Sequence, residues 1–229
     1  MNRPQMNRIQ MSRTETGARH GVEALAAALA SERSEARLRA ALAAGTDPVP
    51  ELLDRLVERC GVEPDFYVRD TLTWAITRFP AERTVPAVTA ELDSSVAQAR
   101  SQALHTLSKI GDGSTCATIT RELLTDDDDE VSRSAWRAAV ILVPDDERAA
   151  LAAILATQFG RGGGDMYRSL SRAIVELGEA ADGAVRLAQR SPDPLIRGHA
   201  AATERLAADP ESAFVFDVEH ARRTAALGE

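Results

Sequence analysis

An arginine recurs along this 229-residue chain at Arg37, Arg69, Arg100, Arg133, Arg168 and Arg197, at separations of 32, 31, 33, 35 and 29 residues. A period of this size constrains the fold more than any local motif does. Each copy is one supersecondary unit, too small to bury its own apolar face, so the copies must stack on one another. Counted from the arginine, core-type residues return three, six, seven and ten positions on: Leu72, Ala75, Ile76 and Phe79, then Ala103, Thr106, Leu107 and Ile110, then Trp136, Ala139, Val140 and Val143. That is the period of a helix with one buried stripe, and it assigns Trp136 to packing. Three copies carry an aspartate four residues before the arginine, Asp65, Asp129 and Asp193, where it can cap the helix. Breakers close the copies at Gly45, Pro80, Gly111, Pro144, Gly178 and Pro210. Between these helices lie shorter periodic segments at 49–60, 84–92, 114–124 and 145–158, with Pro50 and Pro86 near the starts of two of them. Each repeat therefore reads as helix A, turn, helix B. The expected fold is an all-α solenoid, a superhelix of about six helix pairs.

Composition supports thin, closely approaching layers, because the chain holds 41 alanines and only 4% aromatic residues. The 26 arginines face a single lysine, Lys109, which points to codon bias rather than an arginine code. Residues 1–20 are polar and basic without a sustained period, so a disordered N-terminal tail is expected there, with the repeat domain over 21–229. Within that domain the stretch 211–227, carrying Phe214, Phe216 and Val218, reads as a helix that caps the end of the stack. No run of about 18 apolar residues exists and the first twenty residues lack the apolar core of a signal peptide, so a cytoplasmic protein with no membrane span is expected. Cys60 and Cys116 are too few for a disulfide framework and lack metal-ligand spacing, and Cys60 falls where a buried, inert thiol is expected.

The segments TVPAVTAELDSSVAQARSQALHTLSKIGD and SPDPLIRGHAAATERLAADP resemble the short HEAT repeats of bacteria, including the phycobilisome-lyase type, with an apolar helix A, a D-x-x-x-R start to helix B and a closing Leu/Ile-Gly-Asp. The resemblance spans about residues 21–210. It implies the solenoid fold and, for most such proteins, a scaffold's role. The first, third and fifth copies depart from the pattern, with Arg33, Val96 and Gly164 in the aspartate's place, and their turns are expected to be altered.

In such a stack the B helices line the concave face, and positions opposite the apolar stripe become binding candidates. Asp70, Trp74 and His105 fall there, Trp74 and His105 at matching places in adjacent repeats. Arg137 and Arg172, each four residues after its repeat arginine, are the cations left over once the repeat arginines are assigned to structure. That structural ladder comprises Asp65, Arg69, Arg100, Asp129, Arg133, Arg168, Asp193 and Arg197, the arginines pairing with the aspartates or with nearby carbonyls. The run Asp126–Glu130 lacks the glycine and glutamate of a calcium loop and reads as a solvated helix start. The loop Gly160–Gly164 offers backbone N–H groups to a phosphate but lacks a P-loop's lysine and hydroxyl, and it reads better as an inter-helix loop. His20, His105, His199 and His220 stand in no catalytic motif, and no catalytic residue, metal ligand or cofactor is assigned.

The expected function is therefore a monomeric scaffold or adaptor that holds a segment of another protein on the helix B face. A second reading resembles the HEAT-like alkylpurine DNA glycosylases, which use aromatic and acidic residues in the cradle, and Trp74, Asp70 and Arg137 are the residue types it would need. A net charge of −8 weighs against that nucleic-acid reading. The repeat subtype suggests a third, a lyase-type chaperone for a tetrapyrrole.

Overall fold

The computed structural model describes residues 20–209, and these divide into two compact units meeting at Thr106 and Leu107. The tail expected over 1–20, apart from His20, which is already helical, and the capping helix expected at 211–227 lie outside the described residues. Among the described residues there is no strand: the fold is all-α, a solenoid-type stack of helix pairs. No helix among them is long and apolar enough to cross a membrane.

The first unit holds α1 (20–29), α2 (Ser34–Thr46), α3 (Leu53–Val62), α4 (Phe66–Ile76), α5 (Ala81–Ala90) and α6 (Ala97–Ile110), whose last turn passes into the second unit. The second holds α7 (Arg121–Leu124), α8 (Asp129–Leu142), α9 (Arg148–Ala156), α10 (Gly164–Glu176), α11 (Asp182–Ala188) and α12 (Pro194–Ala208). Odd-numbered helices are the A members of six pairs and even-numbered ones the B members. In the first unit α2 packs on α4, and α3 on both α4 and α5; in the second α8, α10 and α12 pack in succession as one layer, with α9 against α11 in the other. Leu52, Leu56, Leu72, Ile76 and Leu104 fill the first core, and Trp136, Leu155, Tyr167 and Leu170 the second. Ala40, Ala41, Ala44 and Ala75 are almost wholly inaccessible, which is the close helix approach that small side chains allow. Trp136 lies on the core stripe, and its indole N–H donates to the Leu124 carbonyl at 2.8 Å.

Some boundaries differ from the sequence reading, for local reasons. Gly45 does not end α2, which runs on to Thr46. A Cβ at position 45 would collide with Cζ3 of Trp74 and stand 2.9 Å from the Ala75 Cα, so this glycine is present for close packing rather than for a turn. Helix α5 begins at Ala81, directly after Pro80, which places Pro86 inside the helix rather than near its start. The segment 114–124 is not one helix: Gly113–Thr118 forms a 3-10 turn, then Thr120 caps the short α7 through its hydroxyl. Hydroxyl-bearing residues compete for backbone groups in this way and shorten helices. Gly111 and Gly178 do close their copies in the left-handed region, at φ 72° and 61°.

Candidate functional site

The turn before each helix B decides which side chains face outward. Its pattern is visible in the second repeat: the Asp65 carboxylate accepts from the N–H groups of Tyr67 and Val68, and the Arg69 guanidinium donates to the carbonyls of Glu63 and Pro64 at 2.8 and 2.9 Å. Arg37 grips the carbonyls of Ser31 and Glu32, Arg100 that of Ser94, and Arg197 those of Ser191 and Pro192. In these four repeats the arginine stands four residues after the residue that precedes helix B. The side chain two residues before that position, Ser31, Glu63, Ser94 or Ser191, accepts the N–H of Arg33, Asp65, Val96 or Asp193.

Repeats four and five depart from this by one residue. The cap of α8 is Asp128, whose carboxylate accepts from Glu130 and Val131 N–H, and not Asp129 as the repeat spacing suggests. Arg133 is thus five residues past the cap. It pairs with Glu130 at 2.7 Å, and its Nε is buried without a partner among the described residues. Arg161, from the loop before α10, takes over instead, donating to the Asp126 carbonyl and pairing with Asp129 at 3.0 Å. Arg168 is five past the Gly163 cap, which has no side chain to accept a bond, and its guanidinium is half exposed, 3.8 Å from Asp165. The ladder therefore consists of arginines holding turn carbonyls, while Asp65 and Asp193 serve as caps and Asp129 pairs with Arg161.

Two buried centres were not anticipated. In the first unit the Glu63 carboxylate is inaccessible, takes both arms of Arg37 at 2.6 and 2.7 Å, and accepts from Arg59 at 2.8 Å and from the Asp65 N–H at 2.9 Å. Burial pushes this carboxyl up, but the hydrogen bonds from Arg37, Asp65 N–H and Arg59 outweigh it and hold it down at about 2. The Glu63 carbonyl also receives Gln98 from the next repeat at 2.8 Å. In the second unit His199 is wholly buried, with the rings of Phe159 and Tyr167 edge-on at 4.9 and 4.7 Å. The Gly160 N–H donates to its Nδ1 at 3.1 Å, which leaves the proton on Nε2, facing the Tyr167 carbonyl at 3.0 Å and Ser171 Oγ at 3.1 Å. Ser171 continues to Thr203, which donates to the His199 carbonyl. Burial lowers the imidazole to about 4, so it is neutral near pH 7. This is a closed structural network. It also engages one N–H of the glycine loop: Gly160, at φ 84°, points its donor at the histidine.

The Cys60 thiol is buried and pushed up to about 11 by that burial, as an inert core thiol would be. The Asp126–Glu130 run is occupied with backbone caps and with Arg133 and Arg161, and no cluster of His, Cys, Asp and Glu able to hold a metal occurs among the described residues.

The one-residue slip reorders the outward face. Counted from the residue before each helix B, Leu42, Trp74, His105, Arg137 and Arg172 all stand nine positions on. Leu42, Trp74, Arg137 and Arg172 are exposed and His105 is half-buried. Counting from the arginine instead places Ala138 and Ala173 on this face, yet both are buried. Asp70, five after its cap, is exposed, and Arg133 and Arg168 hold that place in their own repeats. The first unit's face is apolar and aromatic: Phe66 is 65% exposed, Tyr67 75% and Trp74 40%, with Leu42 on the neighbouring α2. The second unit's face is cationic, with Arg137 and Arg172 on the packed pair α8 and α10.

Residues 49–140 match the family described as HEAT repeats. No curated protein matches the chain. Among solved structures it is similar to an engineered protein determined by the Northeast Structural Genomics Consortium, at 18% identity over 82% of this chain and 96% of that one, with a TM-score of 0.45.

Proposed function

We propose, on the premise that residues 49–140 are HEAT repeats and that such repeats generally serve as scaffolds for other proteins, that this protein holds a segment of a partner protein on the helix B face of residues 20–106. One observation carries the reading. Of the aromatic residues described, Phe79, Trp136, Phe159 and Tyr167 are buried, whereas the exposed ones, Phe66, Tyr67 and Trp74, all lie on α4. A chain with 4% aromatic residues that spends three of them on one exposed helix face has concentrated there the side chains that dominate binding hot spots. Tyr67, Asp70 and Trp74 follow one another at spacings of three and four, so they form a single stripe along α4. Asp70 gives that stripe one charge, the polar element that fixes register and selects among apolar partners. The half-buried His105 extends the row of Leu42 and Trp74 on α6.

The test begins with a photo-crosslinking residue at position 67 in the full chain, to capture and identify what docks on α4. Binding of that purified partner is then measured for Tyr67→Ala, Asp70→Arg and Trp74→Ala, with melting temperatures recorded alongside. Loss of about 30-fold or more in affinity for Tyr67→Ala or Trp74→Ala, equivalent to about 2 kcal/mol, is the expected outcome. Unchanged affinity in all three variants would remove the reading. Micromolar binding of duplex DNA at low salt, lost on Arg137→Glu and Arg172→Glu, would replace it with the nucleic-acid one.

A further inference from the structure

The one-residue slip that takes Arg133 and Arg168 away from the turn carbonyls also sets each of them in line with a further cation. Counted from the residue before each helix B, Arg133 and Arg168 stand five positions on, and Arg137 and Arg172 nine. Residues four apart share a helix face, so α8 and α10 each carry two guanidiniums in a row, about 6 Å apart along the axis. The two helices are packed neighbours in the second unit, which puts the rows roughly 8 to 10 Å apart. None of the other helices B has an arginine at either place: α4 carries Asp70 and Trp74 there, and α12 Gly198 and Ala202.

The charge on this face is only partly answered. Glu130 pairs with Arg133 at 2.7 Å and Asp165 with Arg168 at 3.8 Å, but among the described residues neither Arg137 nor Arg172 has an acidic partner. The Arg133 Nε is buried without a hydrogen-bond partner among those residues, and Arg137 donates its own Nε to the Arg133 carbonyl at 3.2 Å, so two like charges lie along one turn of α8. Partial desolvation, and then repulsion from Arg133, lower the Arg137 guanidinium from its ordinary value, with Glu130 opposing them.

We propose that this face of α8 and α10 is a second docking site, which takes a short acidic segment of a partner protein with its carboxylates on Arg133, Arg137, Arg168 and Arg172. The site is separate from the stripe on α4 and does not rest on what that stripe holds. Charge selects an anion, because guanidiniums grip carboxylates through paired N–H donors and an anion between Arg133 and Arg137 relieves their repulsion. Spacing selects an extended peptide: side chains at alternate positions of such a chain recur at about 6.6 Å, close to the separation of arginines four apart on a helix. Extent selects a short one. Glu130 and Asp165, each two after its cap, border the array at one end, and Glu176 and the exposed Ile141, each thirteen after its cap, close it at the other. A nucleic acid carries its charge past both ends and would meet those carboxylates, on a chain whose net charge is −8.

Fluorescence anisotropy of the full chain with a labelled peptide of alternating glutamate and glycine, at low ionic strength, tests this against a glutamine–glycine control. Arg137→Gln and Arg172→Gln are each expected to weaken binding of the glutamate peptide at least about threefold, and the double variant at least about tenfold. The two substitutions lie on different helices, so misfolding of one variant leaves the other to report. Trp74→Ala leaves this binding unchanged, which separates the site from the one proposed on α4. Equal binding of the two peptides would overturn the proposal, as would a double variant that binds like the parent protein or a loss on Trp74→Ala as large as on Arg137→Gln. Duplex DNA bound more tightly than the glutamate peptide, and lost on the same two substitutions, would assign the face to a nucleic acid and equally overturn it.

Discussion

At the scale of single residues the strongest dependence is on Glu63. Its carboxylate is inaccessible yet ionised because two guanidiniums and a backbone N–H converge on it. Replacing it with an uncharged isostere leaves Arg37 and Arg59 facing each other across a buried point without the carboxylate that both of them grip. Glu63→Gln is therefore expected to cost about 3–5 kcal/mol in urea unfolding, the range for breaking a buried ion pair from one side. A loss under about 1 kcal/mol would mean that the arginines are screened by water and that the centre is not truly buried. Glu63 was readable in the sequence only with the turn pattern in hand: it holds the place that Ser31, Ser94 and Ser191 hold elsewhere. His199 gave no such signal, because its partners come from Gly160, Tyr167 and Ser171, 28 to 39 residues away. Trp74 was legible as an outward residue, but its contact with Gly45 was not, since the glycine reads equally well as a helix end.

At the scale of elements, the repeat arginines should separate into two energetic classes although they share one place in the sequence pattern. Arg69 gives two charge-assisted hydrogen bonds to turn carbonyls and is half-buried, so Arg69→Met should destabilise the first unit by about 2–4 kcal/mol. Among the described residues Arg168 pairs with Asp165, at 3.8 Å on an exposed surface, and Arg168→Met should change stability by less than about 1 kcal/mol. Thermal or urea denaturation of the two variants decides the matter, and equal losses would show that the distance from the cap does not control the clamp. The existence, type and pairing of the helices followed from a 3.6-residue stripe recurring with the arginines, because burial of that stripe is what stacking achieves. The slip in repeats four and five was harder to see: a one-residue change in a turn alters no hydrophobic period, yet it turns the following helix by about 100° and exchanges which side chains face solvent.

For the molecule as a whole, the two buried centres predict an order of acid softening. The His199 imidazole sits at about 4 against an ordinary 6.5, so the folded state declines a proton that the unfolded chain accepts. The stability it confers is complete above pH 6.5 and lost as pH falls to about 4, roughly 3 kcal/mol in all. Glu63 sits at about 2 against 4.5, so its contribution is retained above pH 4.5 and disappears only as pH approaches 2. Hydrogen exchange followed from pH 7 to 3 should show α10 and α12 losing protection before α3 and α4, and loss in the opposite order would contradict the assignment of both centres. The turn before α8 has a consequence of its own. Arg161 reaches the Asp126 carbonyl and the Asp129 carboxylate from the loop before α10, while Arg133 pairs with Glu130, so the length of one turn and a residue in the next are bound together. Deleting one residue between Asp128 and Arg133 would bring that arginine to the four-residue spacing of the other repeats, but it would also turn the rest of α8 by about 100° about its cap and carry Trp136 off the place that buries it. The spacing of this turn is thus held by the packing of the helix that follows it, and the arginine of the neighbouring loop serves where the repeat's own arginine falls out of register.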